Sequence, residues 1–500
     1  MSVEAGQGPG SQPESDRVWS IETHGIDPIP DSDRHGKPLE LFWIWFAANI
    51  AVLGIVYGAY LVNPADAFGY GLNLPQALTV AVLGTVLSFV LVGFVSLAGK
   101  LGGAPTLILS RAAFGVVGNA LPTLVSWVAL VGWETILVAL STFAAQTILE
   151  RLGWVHGDLA LGVSFAIIAA ATIAIGLLGH ATIVKTQTWF TWAFAGLTVA
   201  FVALVWSEID FDKVGSLPTG PFWTGFVPAL SVIMAGLGIG WVNAAADYSR
   251  YLPKASNSGA VVGWTVVGAS LGPIILISFG ALLAADKPDI ATTSNPIGLL
   301  AEPLPTWFLV PYMIVAVGGL VAGALLDIYS SGLNLLTLGL RIPRYQSVAI
   351  DGVVMLIGNV YLLFFAPNFV TPFIGFLVTL GVLLASWAAI FLTDMWLYRR
   401  REGYAEQALY SSTGRYGALN RAGVVSFLVA AFVGLGLVTS GAPIFKWTGY
   451  LMRWFGWEDT PFGYSSLGLL IAFLVAGALY AVLSPFTRQR AGARETVRVP

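Results

Sequence analysis

Cysteine is absent from this chain, which excludes disulfides and thiolate metal sites. Histidine is scarce: His24, His35, His156 and His180 stand apart, without metal-ligand spacing, and no His-x-x-x-His occurs. Charge is scarce as well. Asp, Glu, Lys and Arg make up 10% of 500 residues, against roughly 25% in soluble domains. The net charge of −3 offers nothing to a nucleic-acid partner. An embedded enzyme would need a metal or nucleophile constellation, and a channel would need rings of charge from repeated subunits. The three glycines at 236, 238 and 240 are not a dinucleotide fingerprint, since no strand precedes them.

What the chain has instead is apolar length. Hydrophobic residues are 56% of the total and the mean hydropathy is +0.79. About 20 apolar residues cross a bilayer. Apolar runs fall at 41–62, 76–98, 120–149, 159–178, 184–206, 222–246, 259–284, 306–338, 348–366, 369–397, 422–440 and 464–484. Twelve spans are therefore expected in an all-α polytopic membrane protein. With both termini on one side, that side carries nineteen of the 24 Lys and Arg and the other carries five. The asymmetry predicts cytoplasmic termini in a multi-pass plasma-membrane protein. The polar, acidic first forty residues lack the basic-then-apolar order of a signal peptide and read as a retained tail.

Residues 234–253 are the most informative stretch. Gly236, Gly238 and Gly240 weaken a segment otherwise apolar enough to span, at roughly 1 kcal/mol per glycine. In lipid, loosened backbone survives where protein buries it or where it lines a wet cavity. Trp241, Asn243 and Asp247 follow. Span one carries Asn49, Gly54 and Gly58, and the Gly54/Gly58 pair also fits plain helix packing. Disturbed first and sixth helices predict two five-helix halves of inverted orientation (41–206 and 222–397), two accessory helices (422–484), and cytoplasmic tails at 1–40 and 485–500.

Ionisable groups inside spans are costly, roughly 2.5–3.5 kcal/mol at the bilayer centre, so each is a candidate. Glu134 follows Trp133 in span three, and Asp327 lies within span eight. A helix-packing hydrogen bond is the bland alternative for Glu134, and a paired or capping acid for Asp327. Asp247 lies near the cytoplasmic end of span six, where Arg250 can pair with it as a gate or anchor. Asp351 and Asp394 sit at span ends, where interface solvation is cheap. Trp133 and Trp241 can be packing residues. Taken together, aromatic faces, an amide and carboxylates on loosened helices suit a small, flat, polar ring. A carboxylate in a dry site needs a proton or a partner, which links binding to protonation.

Residues 21–38 with 41–49, Gly103 to Gly115, Gly132-Trp133, Ile239 to Trp241, Asp247 to Arg250 and Asp327 to Asn334 resemble the nucleobase:cation symporter-1 family, closest to its purine–cytosine permease branch. The resemblance runs from about 21 to 400. It implies a LeuT-type fold, with solute held between spans one, three, six and eight. It also matches Trp133 to a stacking tryptophan of span three. The aromatic that stacks the opposite ring face in some members falls here at Gly238, and this chain carries Gly240-Trp241 instead. An amide of span eight falls at or beside Leu326-Asp327, where this chain has an acid.

Sodium-coupled relatives use backbone carbonyls of span one and hydroxyls of span eight, but Val315 to Ala322 holds no Ser or Thr. Such a site would lack its hard side-chain ligands, which favours protons over sodium. The expectation is a proton-coupled importer, not an enzyme, without cofactor and monomeric. Its solute is a nucleobase or related nitrogen heterocycle, with hydantoin, allantoin, a vitamin precursor or another small polar solute as the alternative. The expected solute-contacting residues are Asn49, Trp133, Glu134, Gly238, Gly240, Trp241 and Asp327. Asp327 and Glu134 are expected to carry coupling, and Asp247 and Arg250 a gating or structural role.

Overall fold

A computed structural model describes residues 25–64, 69–177, 180–285, 293, 295–366 and 368–496. Residues 1–24 of the expected N-terminal tail and 497–500 of the C-terminal tail lie outside the described residues. The described residues are helical, with no strand. In order they form α1 (Pro38–Asn49), α2 (Leu53–Val62), α3 (Leu74–Gly102), α4 (Ala120–Arg151), α5 (Gly157–Gly176), α6 (His180–Val205), α7 (Val227–Gly236), α8 (Gly238–Trp241), α9 (Ala245–Ser249), α10 (Ser258–Ala284), α11 (Thr306–Thr337), α12 (Arg344–Phe364), α13 (Val370–Asp394), α14 (Arg421–Gly436) and α15 (Gly468–Thr496). Among the described residues nine helices are long and apolar enough to cross a membrane, and α1 with α2 makes a tenth as a bent pair. The remaining two apolar runs coincide with α6 and α14, whose apolar parts are shorter. Leu87, Ile167, Val199, Ile275, Ile357, Leu428 and Leu474 lie exposed along these helices. Exposed apolar side chains on so many helices form a surface for lipid.

Local chemistry sets the ends. Asn73 and Gln76 form a reciprocal capping box at the start of α3. Gly103 ends that helix at φ +62°, a left-handed conformation that favours glycine. Two four-residue helical turns follow, Thr106–Leu109 and Arg111–Phe114. There Arg111 donates to the carbonyls of Leu409 and Thr337, at 2.9 and 2.8 Å, and so covers the C-terminus of α11.

Both helices expected to be disturbed are interrupted, in different ways. Span one turns by 64° at residues 50–52. Span six counts as one 28-residue span, Phe222–Ser249, in which the helix is interrupted at Leu237 (φ −116°, ψ −108°). The glycines of span one lie after its bend. Gly58 serves close packing, since a Cβ there would lie 2.2 Å from the Ile277 carbonyl oxygen of α10. A Gly-x-Ser-x-Gly spacing at 268–272 has the same cause. It lies mid-helix in α10, and a Cβ on Gly268 would meet Phe42 backbone of α1 at 2.5 Å. A hydrolase nucleophile would need a strand-to-helix turn there.

The layout places α4 against α11 along their length, with α5, α12 and α13 around α4. Span six packs on α3 and α13, while α14 and α15 pack on α13, away from α4. The accessory helix α15 is anchored by Tyr480, which donates to Asp394 at 2.8 Å, while Asp394 also pairs with Arg399 at 2.7 Å. Asp394 is thus buried and fully engaged, where the sequence suggested a solvated span end.

Candidate functional site

The interruption at Leu237 frees the next backbone N–H. Gly238 N donates to Ser88 Oγ of α3 at 3.1 Å. Its missing side chain faces the same helix: a Cβ at 238 would lie 2.2 Å from Ser88 carbonyl carbon. Two residues on, span six turns toward α4, and a Cβ at Gly240 would lie 2.9 Å from Trp133 Nε1. Gly240 therefore gives the Trp133 indole its place, while Gly238 seats the break on α3.

Trp133 is buried with its ring edge-on to Phe373 and Phe376 of α13, centroids 6.0 Å away in each case. Trp241 takes the other direction and meets Trp45 of α1 edge-on at 5.6 Å. Trp45 in turn meets Tyr248 at 5.5 Å. Asn49 stands at the bend of span one, its amide donating to the Trp45 carbonyl at 2.9 Å. Helices α1, α4, α13 and span six thus converge with aromatic rings around two helix interruptions. Trp45, Phe373 and Phe376 were not singled out by sequence; their signal, aromatics in a span, is too common to select them.

The acids gather one residue along. Positions i and i+4 share a helix face, so Asp327 and Ser331 of α11 point together toward α4. Ser331 Oγ lies 2.8 Å from Glu134 Oε1. Glu134 Oε2 and Asp327 Oδ2 are buried and have no hydrogen-bond partner among the described residues. Both residues are almost wholly inaccessible. The structure therefore brings Glu134 and Asp327 to one α4–α11 interface. A third acid joins them, Asp351, expected from sequence at a solvated span end. Asp351 of α12 is fully buried, with Oδ1 accepting from Trp127 Nε1 at 2.6 Å and Oδ2 lying 2.9 Å from Ser331 Oγ. Its position two turns inside α12, not at its mouth, is the physical reason for the difference.

Asp247 and Arg250 lie elsewhere. Asp247 Oδ1 accepts from the Thr106 backbone N–H and hydroxyl, both at 2.7 Å, fastening span six to the loop after α3. Arg250 donates to Tyr329 Oη of α11 at 2.8 Å and to the Gly25 carbonyl at 3.1 Å. Asn243, unassigned from sequence, donates to Ser126 Oγ at 2.7 Å, and Asn334 donates to the same oxygen at 2.7 Å. One serine of α4 thereby ties span six to α11.

Residues 28–456 match a protein-family model described as "Permease for cytosine/purines, uracil, thiamine, allantoin". YxlA of Bacillus subtilis (strain 168) is 27% identical over 485 residues, covering 95% of this chain and 98% of that relative. Purine-cytosine permease FCY21 of Saccharomyces cerevisiae is 27% identical over 485 residues, covering 93% and 87%. Among solved structures, the chain is similar to Mhp1, a nucleobase-cation-symport-1 family transporter, in a closed conformation with bromovinylhydantoin bound. There the TM-score is 0.73 at 18% identity, covering 94% of this chain and 97% of that one.

Proposed function

The chain belongs to the permease family for cytosine/purines, uracil, thiamine and allantoin, and on that footing we propose that it imports a nucleobase or related nitrogen heterocycle by proton symport. The observation that carries this reading is the adjacency of Trp133 and Glu134 on α4. One offers an indole in the aromatic group with Phe373 and Phe376, the other a buried carboxyl with a free oxygen.

A planar heterocycle stacks on the indole and presents ring N–H or exocyclic amino donors. Glu134 Oε2 and Asp327 Oδ2 are the acceptors waiting for them. Water-poor carboxylates are costly without a proton or partner. A proton and a donor-rich solute therefore bind together from outside, and both leave on the cytoplasmic side as the halves rock. Twelve spans in a 5+5 inverted repeat with two accessory helices, cytoplasmic termini and a monomeric unit complete the proposal. The absence of Ser and Thr from Val315 to Ala322 supports protons over sodium.

Allantoin and thiamine stand in the same family description, and an acid at 327 also suits a solute with several N–H donors. Competition of labelled cytosine uptake by adenine, uracil, allantoin, hydantoin and thiamine separates these. Nucleobases should compete best. Competition by none of the nucleobases would discard the nucleobase reading.

A further inference from the structure

Three helices meet at one hydroxyl. Ser331 Oγ of α11 lies 2.8 Å from Glu134 Oε1 of α4 and 2.9 Å from Asp351 Oδ2 of α12, and it also reaches the Ile328 carbonyl at 3.2 Å. A hydroxyl has one proton to donate. If it points at one carboxylate, the other faces an oxygen lone pair at hydrogen-bond distance, a repulsive contact between two buried anions. The arrangement closes only if one of the two acids carries a proton and donates it to Ser331, which then donates onward. Asp351 Oδ1 is already an acceptor from Trp127 at 2.6 Å, so its second oxygen is the one left to hold or receive that proton.

Among the described residues no ion pair reaches Glu134, Asp327 or Asp351. Along α4, α5, α11, α12 and α13 the basic residues are Arg151, last in α4, and Arg344, first in α12. The other ionisable groups facing the cluster are Asp327, one turn earlier on α11, and Tyr248 of α9. Tyr248 Oη binds the Leu326 carbonyl at 3.0 Å and Ser330 Oγ at 3.2 Å. Asp158 of α5 stands in that helix's first turn, and Asp394 ends α13. Two carboxyls in one buried site, with acids and phenols as their ionisable neighbours, hold a proton between them as a pair.

We propose that Glu134, Ser331 and Asp351 form a proton-binding site in which the two acids share one proton across the serine hydroxyl. Asp351, which touches no solute, positions and returns that proton. When a donor-rich solute hydrogen-bonds Glu134, the carboxylate form of Glu134 is favoured and the shared proton moves through Ser331 to Asp351. No bond other than O–H is made or broken: Asp351 Oδ2 takes the hydroxyl proton of Ser331 as Ser331 takes that of Glu134. This deepens the proton-symport reading and rests on it for its role in transport, but not for the existence of the shared proton.

The test reads the proton directly. Infrared spectra of the full chain in lipid nanodiscs at neutral pH, with no solute, are compared for wild type, Asp351→Asn, Glu134→Gln and Asp327→Asn. The Asn at 351 keeps an oxygen for Trp127 and an amide donor for Ser331, so it tests the charge and not the packing. The same deuterium-sensitive protonated-carboxyl band should be present in wild type, vanish in both Asp351→Asn and Glu134→Gln, and survive in Asp327→Asn. Absence of the band from wild type, or its survival in both pair variants, overturns the proposal. Uptake of labelled cytosine then reads its role: Asp351→Asn should lose about tenfold of pH-driven accumulation, the scale of a typical coupling free energy, while counterflow exchange persists. Undiminished pH-driven accumulation in that variant contradicts the role given to Asp351. A wild type that ignores a pH gradient but keeps the band sinks proton symport and leaves the shared proton standing.

Discussion

Asp247 takes two hydrogen bonds from Thr106 through a single carboxylate oxygen, one from the backbone N–H and one from the hydroxyl, both at 2.7 Å. The pair joins the C-terminal end of span six to the first turn after α3. Asp247→Ala leaves a buried backbone donor without its acceptor. It should lower the stability of the purified protein by about 2–3 kcal/mol, the range for losing hydrogen bonds to a charged group. Thr106→Val keeps the backbone N–H bond but removes the hydroxyl, which donates to Asp247 and accepts from the Ala246 N–H at 3.0 Å, and should cost about 1–2 kcal/mol. Thermal unfolding in detergent checks the order. Equal midpoints for Asp247→Ala and wild type would contradict the role given to this contact.

Gly238 and Gly240 should separate cleanly. A Cβ at 238 meets α3 backbone at 2.2 Å, which cannot move aside, whereas at 240 it meets the indole edge of Trp133 at 2.9 Å. Gly238→Ala should reduce folded yield, seen by size-exclusion profile. Gly240→Ala should fold but shift solute affinity, seen as a changed KM for uptake. The reverse pattern would mean that the break, and not the ring beside it, touches the solute.

Much of this was legible in the sequence. The apolar runs anticipate the helices because a bilayer imposes a length that composition reveals. Glu134 and Asp327 stand out because acids within spans are rare. Glycine was the ambiguous letter: the same residue marks a loosened helix or a close helix contact, and Gly58 and Gly238 turn out to pack tightly. Asp351 was hidden because its partners, Trp127 and Ser331, come from other helices, and no single sequence shows that pairing. The Asp247–Thr106 contact, 141 positions apart, was hidden for the same reason.

The proposed solute stacks on Trp133. Trp133→Ala should raise the apparent Kd for the best nucleobase by about tenfold to a hundredfold, since stacking a base on an aromatic is worth about 1–3 kcal/mol. Trp133→Phe should retain most of the affinity. Equilibrium binding in detergent measures both. Equal losses in the two variants would point to packing of Phe373 and Phe376, and not to stacking.

The last helix should depend on one buried ion pair. Asp394 holds Arg399 at 2.7 Å and receives Tyr480 of α15 at 2.8 Å. Asp394→Ala leaves a buried guanidinium uncompensated and should cost about 3–5 kcal/mol. Tyr480→Phe removes one hydrogen bond and should cost about 1.5–3 kcal/mol. Thermal midpoints again decide, and a Tyr480→Phe loss equal to that of Asp394→Ala would place the weight on the α15 contact alone.

Solute is proposed to move together with protons. The most direct measurement is uptake of labelled cytosine and adenine into proteoliposomes with an inward proton gradient and no sodium, for wild type and Asp327→Asn. Wild type should concentrate at least one of the two above its outside level and lose that accumulation when the pH gradient is collapsed. Asp327→Asn should equilibrate without accumulating. Accumulation that follows a sodium gradient and ignores the pH gradient, or normal concentrative uptake by Asp327→Asn, would contradict the account.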